Sequence, residues 1–196
     1  MYKQKNMLLI GATGSNLGKT EFACRLINRF AASRHVVGVK ATAITEPAEG
    51  FCPRGGAGCG VCTSLGDDNY CITTESGGEA RKDTVRMKNS GAHEVYWLRA
   101  LESKLAEGFS HLREYFNDDS VIICESNRLR LVVEPGLFIM VGDSRSQAKK
   151  PSVDKVIDFV DKMIYFNGTD FDFNPDRINY GAKGWEILSE HNEVIR

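Results

Sequence analysis

Six short apolar runs punctuate the chain, at residues 7–10, 36–39, 95–98, 121–124, 137–141 and 163–166. Each is rich in Val, Ile or aromatic residues and lacks polar alternation, the pattern of strands buried on both faces. Helical spacing fills the gaps between them. Phe22, Leu26, Ile27 and Phe30 form one stripe, Leu101, Leu105, Phe109, Leu112 and Phe116 a second, and Val153, Val156, Ile157 and Val160 a third. Ser152, following Pro151, is the expected N-cap of the third helix, with Asp154 in its first turn. Strands separated by helices predict an α/β fold with a mostly parallel sheet flanked by helices.

Composition narrows the picture. With 196 residues, 42% hydrophobic and 26% charged, the chain suits one sizeable core, a single domain over 1–196. The net charge of -1 gives no electrostatic reason to expect nucleic acid or an anionic membrane as partner. Residues 7–10 are too few for a signal h-region, and no run approaches about 20 apolar residues, so a cytoplasmic protein is expected. In that compartment clustered cysteines point to metal or redox chemistry more than to disulfides.

The first run leads into "LLIGATGSNLGKTEFACRLI", a strand, a glycine-rich turn and an amphipathic helix. Residues 13–20 fit the Walker A pattern except that Thr13 replaces the first glycine and Gly14 follows it. Gly14 and Gly18 are expected to let the backbone of Ser15, Asn16 and Leu17 wrap phosphates, with Glu21 in the first helical turn. Lys19 offers a point charge to the β and γ oxygens, and Thr20 a hydroxyl to magnesium. The bland alternative is a glycine-rich turn with an exposed lysine.

This loop resembles those of the P-loop NTPase class that includes dethiobiotin synthetase and the molybdopterin-guanine dinucleotide biosynthesis adaptor MobB. MobB is the closer likeness. Its loop is followed by a strand ending in Val-Lys, as "VVGVKAT" is here, and then by a Lys-Asp-Ser/Thr segment, as in "RKDTVRMKNSGAHEVYW". The next strand ends in an acid, as the apolar run of "VIICESN" ends at Glu125, although Ser126 stands where the family has Gly. The likeness covers about residues 7–141. It implies a P-loop NTPase fold, GTP or ATP with magnesium as cofactors, and a protein partner in molybdenum cofactor biosynthesis, with homodimer formation left open. By the same resemblance, Asp83 would orient an attacking water or hydroxyl, or hold magnesium through water. Glu125 has a reading of its own. A carboxylate at the carboxyl end of a buried parallel strand faces the crevice where ligands bind, so it suits magnesium or the γ-phosphate. Lys40 could meet phosphate or be a surface lysine, and Arg86 shares a polar helical stretch with Asp83.

The last apolar run enters "YFNGTDF", where Asn167 and Asp170 have the spacing of the Asn-Lys-x-Asp element by which many GTPases read guanine, with Gly168 in place of Lys. Asn-Gly-x-Asp is equally an ordinary turn. His35, His93, His111 and His191 show no ligand spacing, and Cys24 and Cys124 read as inert core thiols. Trp185, Ile187 and Leu188 are expected to tether the tail to the core.

Residues 46–75 form an expected cysteine-rich inserted loop, with six glycines in 30 residues. Such a segment buries too little to offset backbone ordering of about 1–2 kcal/mol per residue. Cys52, Cys59, Cys62 and Cys71 read C-x6-C-x2-C-x8-C, whose central C-x2-C is a common chelating bite. An iron-sulfur cluster, zinc, and free or redox thiols all remain open. Two function classes follow: a nucleotide-dependent adaptor in a cofactor or metal-cofactor pathway, and a small-molecule kinase or ligase of the dethiobiotin synthetase-like class.

Overall fold

Each of the six apolar runs becomes a strand. The computed structural model describes residues 1–45, 65, 68–78, 82–146 and 150–189. The strands are β1 (Tyr2–Ala12), β2 (Val36–Ile44), β3 (Tyr70–Thr74), β4 (Glu94–Leu101), β5 (Val121–Glu125), β6 (Val133–Asp143) and β7 (Lys162–Phe166). They form one seven-stranded sheet in the order β3-β4-β2-β5-β1-β6-β7. Six run parallel, and β3 pairs antiparallel at the edge of β4. The fold is α/β, as expected.

β3 corrects one expectation. The insertion assigned to 46–75 does not extend through its last residues, because Tyr70–Thr74 is a strand in register with β4, Cys71 opposite Arg99 and Ile72 opposite Leu98. Alternation explains it. Tyr70 and Ile72 join the apolar cluster on one face, while Cys71 and Thr73 point to the other.

Helices cover both faces. On one, α1 (Lys19–Ala31) inserts Phe22, Leu26 and Ile27, all fully buried, and α2 (Asp83–Asn89) adds Met87. Each such side chain contributes about 1.5–3 kcal/mol relative to exposure. On the other, α3 (Leu105–Leu112) inserts Leu105, Phe109 and Leu112. The second stripe is thus shorter than its spacing suggested: Leu101 ends β4, and a 3-10 turn over Arg113–Tyr115 precedes Phe116.

The third stripe also differs. Only α4 (Pro151–Asp154) is α-helical, followed by a 3-10 turn over Ile157–Phe159. Val153 and Val156 are still buried, so the apolar demand is met without a full helix. Lys150, not Ser152, is the N-cap, since Pro151 takes the first helical position.

The tail folds back as a hairpin of β8 (Ile178–Gly181) and β9 (Gly184–Ile187). Trp185 packs edge-on against Phe30 of α1, centroids 5.3 Å apart, and is 9% exposed. The tether expected of it is present. Among the described residues no helix is long and apolar enough to cross a membrane.

Candidate functional site

The crevice follows from the connections. β1 leaves toward β2 through α1 on one face, while β5, its neighbour, leaves toward β6 through residues that pack on the other. Strands departing in opposite directions open a gap at their carboxyl ends, the usual ligand position in such sheets. A cleft of about 1000 Å³ lies there, bordered by the loop after β1 and the ends of β2 and β5.

The glycine-rich loop forms one wall. Asn16 and Gly18 adopt left-handed φ of 57° and 73°, and these two residues, not Gly14, turn the chain back into α1. A Cβ on Gly18 would also stand 3.0 Å from the Phe171 ring. Thr13 is 4% exposed with both backbone groups engaged: its N–H donates to Val141 O at 2.9 Å and its carbonyl accepts from Lys150 N–H at 2.9 Å. Leu17 is buried in the core, whereas Ser15 and Asn16 are exposed. No side chain caps α1, so its first-turn N–H groups suit an anion.

Four charged groups, Lys19, Glu125, Asp83 and Lys40, meet across the cleft. Thr20 Oγ1 donates to Glu125 Oε2 at 2.9 Å, and Lys19 Nζ lies 3.7 Å from Glu125 Oε1. Glu125 is 6% exposed, and a buried carboxylate needs such partners. Asp83, opening α2, is ion-paired with Lys40 from β2. Burial pushes the Asp83 carboxyl up, but the Lys40 ammonium, the nearby Thr20 hydroxyl and the Arg86 charge outweigh it and hold the group below its ordinary value. Thr20 therefore stands between two carboxylates, Glu125 and Asp83.

Glu21 lines the same cleft but is engaged: Arg86 Nη2 donates to one oxygen at 2.8 Å and Arg25 Nε to the other at 3.2 Å. Arg25 continues the chain of charges to Asp170, its Nη1 donating to Oδ1 at 2.7 Å. That contact and the Phe171 N–H hold the Asp170 carboxyl below its ordinary value. Asn167 Oδ1 accepts from the N–H groups of Thr169 and Asp170, both at 2.8 Å. The structure brings Lys19, Thr20, Asp83 and Glu125 together; Phe166 also lines the cleft, but Asn167 and Asp170 sit outside its lining.

Cys52, Cys59 and Cys62 lie outside the described residues. Cys71 is half-buried on β3, its Sγ accepting from Arg99 Nη2 at 3.2 Å. Among the described residues no group of three His, Cys, Asp or Glu is placed to hold a metal. Cys124 is fully buried, and burial pushes its thiol well above the ordinary value; Cys24 is raised by burial as well.

One contributor carries no sequence signal. Asn127 binds Ala12 twice, accepting from its N–H and donating to its carbonyl, both at 2.8 Å. It stands two residues past a strand in no recognised motif, and only its position beside the loop reveals it. Comparison with family models, curated proteins and solved structures finds no significant match to this chain.

Proposed function

We propose that this chain is a P-loop nucleoside-triphosphate-binding protein, with GTP as the preferred nucleotide, acting as a slow hydrolase and adaptor in a cofactor or metal-cofactor pathway. One observation carries the reading. Lys19 and Thr20, at the start of an uncapped helix after a glycine-rich loop, converge on Glu125 at the end of the adjacent parallel strand.

Phosphates entering the loop would meet the first-turn N–H groups of α1 and draw the Lys19 ammonium away from Glu125. Thr20 Oγ1 and Glu125 are hard oxygen donors that would suit magnesium, which when bound would neutralise phosphate charge. Asp83, kept ionised by Lys40, is the base that would orient water at the γ-phosphate. Reading guanine would require Asp170 to give up Arg25. A slow turnover that rises on addition of a protein partner, with no small-molecule acceptor, is the expected assay result.

The cysteines extend the proposal. Cys71, with Cys52, Cys59 and Cys62, would hold an iron-sulfur cluster or zinc, and the Arg99 donor at Cys71 Sγ is the kind of outer hydrogen bond that tunes such ligands. Metal and sulfide analysis with an absorption spectrum of anaerobically purified protein tests this. Metal-free protein with all four thiols freely alkylated after reconstitution would remove it.

The kinase or ligase reading has one observation in its favour. A recess of about 230 Å³ adjoins the cleft, sharing Lys40 and Asp83 and walled by Lys82 and Trp97. A small acceptor seated there would lie beside Asp83. Turnover rising steeply with one small molecule, in the absence of protein, would favour this reading over the adaptor.

A further inference from the structure

The backbone pairing between β1 and β5 ends at Ile10 and Glu125. One more bond follows, from Ser126 N–H to Ile10 O at 3.0 Å. Beyond it, the Asn127 side chain does what the next strand peptide would do. Its Oδ1 accepts from Ala12 N–H and its Nδ2 donates to Ala12 O, so both polar groups of the last residue of β1 are engaged by one amide. Of the common side chains, an amide has both the donor and the acceptor this needs; a carboxylate has only acceptors.

Ala12 is the root of the glycine-rich loop. The next residue, Thr13, is tied to β6 through Val141 O and to Lys150. The loop root is thus gripped from β6 by backbone and from the β5 side by Asn127. The approach is close: a Cβ on Gly11 would lie 3.0 Å from Asn127 Oδ1. Asn127 also borders the cleft, two residues beyond the carboxylate that meets Lys19 and Thr20.

We infer that Asn127 is a positioning residue that fixes the glycine-rich loop against the end of β5, so that Thr20 and Glu125 would share one magnesium, while the loop amides and Lys19 hold phosphate without it. This rests on the nucleotide reading. It separates two properties that a merely structural residue would change together: phosphate binding without metal, which depends on the loop, and the gain from metal, which depends on the spacing between loop and β5.

The test uses the full chain and its variants Asn127→Ala and Asn127→Asp. GTP and ATP are titrated calorimetrically in EDTA and in magnesium, with turnover measured alongside thermal melting. In EDTA the variants are expected to bind within about threefold of the parent, while the affinity gained from magnesium and the turnover both fall, about tenfold or more in Asn127→Ala, the scale of losing two hydrogen bonds, and by less in Asn127→Asp, which loses only the donor. Asn127→Asp keeps the Oδ1 acceptor and the shape of the side chain, and so keeps the test readable if Asn127→Ala fails to fold. Parent-like gain from magnesium in the variants, or equal losses with and without metal, overturns the inference. A parent protein that binds neither triphosphate overturns the nucleotide reading and this one with it; a parent that binds with unchanged variants overturns only this one.

Discussion

The loop after β1 and the turn after β7 both leave a parallel strand at the same end of the sheet, and both pass through a glycine with left-handed φ, 73° at Gly18 and 101° at Gly168. Their side chains are used differently. After β1, Lys19 and Thr20 reach across to a carboxylate on another element, in a cleft large enough for a ligand. After β7, Asn167 closes its own turn by accepting from Thr169 and Asp170, and the Asp170 carboxylate is held by Arg25 at the surface. Motif spacing is the same kind of signal in both. What differs is which polar atoms remain directed at shared space, a tertiary property.

The largest expected effect that sharpens this contrast is at Glu125. Glu125→Gln keeps the Thr20 hydrogen bond and removes the charge, so turnover should fall about 100-fold while triphosphate binding in EDTA stays near parental. Unchanged turnover would detach Glu125 from the chemistry.

Next is the turn. If Asp170 reads guanine, Asp170→Asn weakens GTP about tenfold and leaves ATP unchanged, because a site built to hydrogen-bond a group discriminates strongly when the partner is lost. Equal affinity of the parent for GTP and ATP would reduce the turn to a local structure. The Arg25 contact is exposed, so melting should not report the change.

The glycines give a smaller separation. Gly18→Ala meets both backbone strain and the Phe171 and Phe166 rings, and should cost about 1–2 kcal/mol in denaturant unfolding. Gly168→Ala meets only the flexible end of Arg145 beyond its strain, and should cost about 1 kcal/mol. The reverse ranking would contradict the packing of the loop after β1.

Smallest is the pH response. Asp83 is held below its ordinary 3.8 in the folded chain, so its contribution to stability is fully present above 3.8 and is lost as pH falls through the lower, folded value. Replacing Lys40 by Met should flatten this acid limb and leave stability above pH 5 little dependent on pH. A limb unchanged in Lys40→Met assigns it to other carboxylates.

The central strands were legible because burial on both faces leaves uninterrupted Val, Ile and Leu, as in 121–124, where every residue is fully buried. Tyr70–Thr74 escaped notice because an edge strand is half-polar, and its pairing with β4 is not local. The short α4 differs from its expected helix for a related reason: apolar spacing states how much must be buried, and a 3-10 turn meets that demand as well as a helix. In the candidate site, residue types and spacing marked Lys19, Thr20 and Glu125, the resemblance marked Asp83, and the four do converge. Asn127 could not be read, since its partner lies 115 positions away in the chain.

The central claim is that the loop after β1 holds the phosphates of a nucleotide. Calorimetric titration of the parent and of Lys19→Ala with magnesium and GTP or ATP tests it most directly. Lys19 is part-exposed at the cleft and outside the apolar core, and Thr20 still donates to Glu125, so the variant should fold, melting below the parent because the buried carboxylate loses one partner. Saturable binding by the parent and its loss in a folded Lys19→Ala protein is the predicted result; triphosphate binding that survives in the folded variant would contradict it.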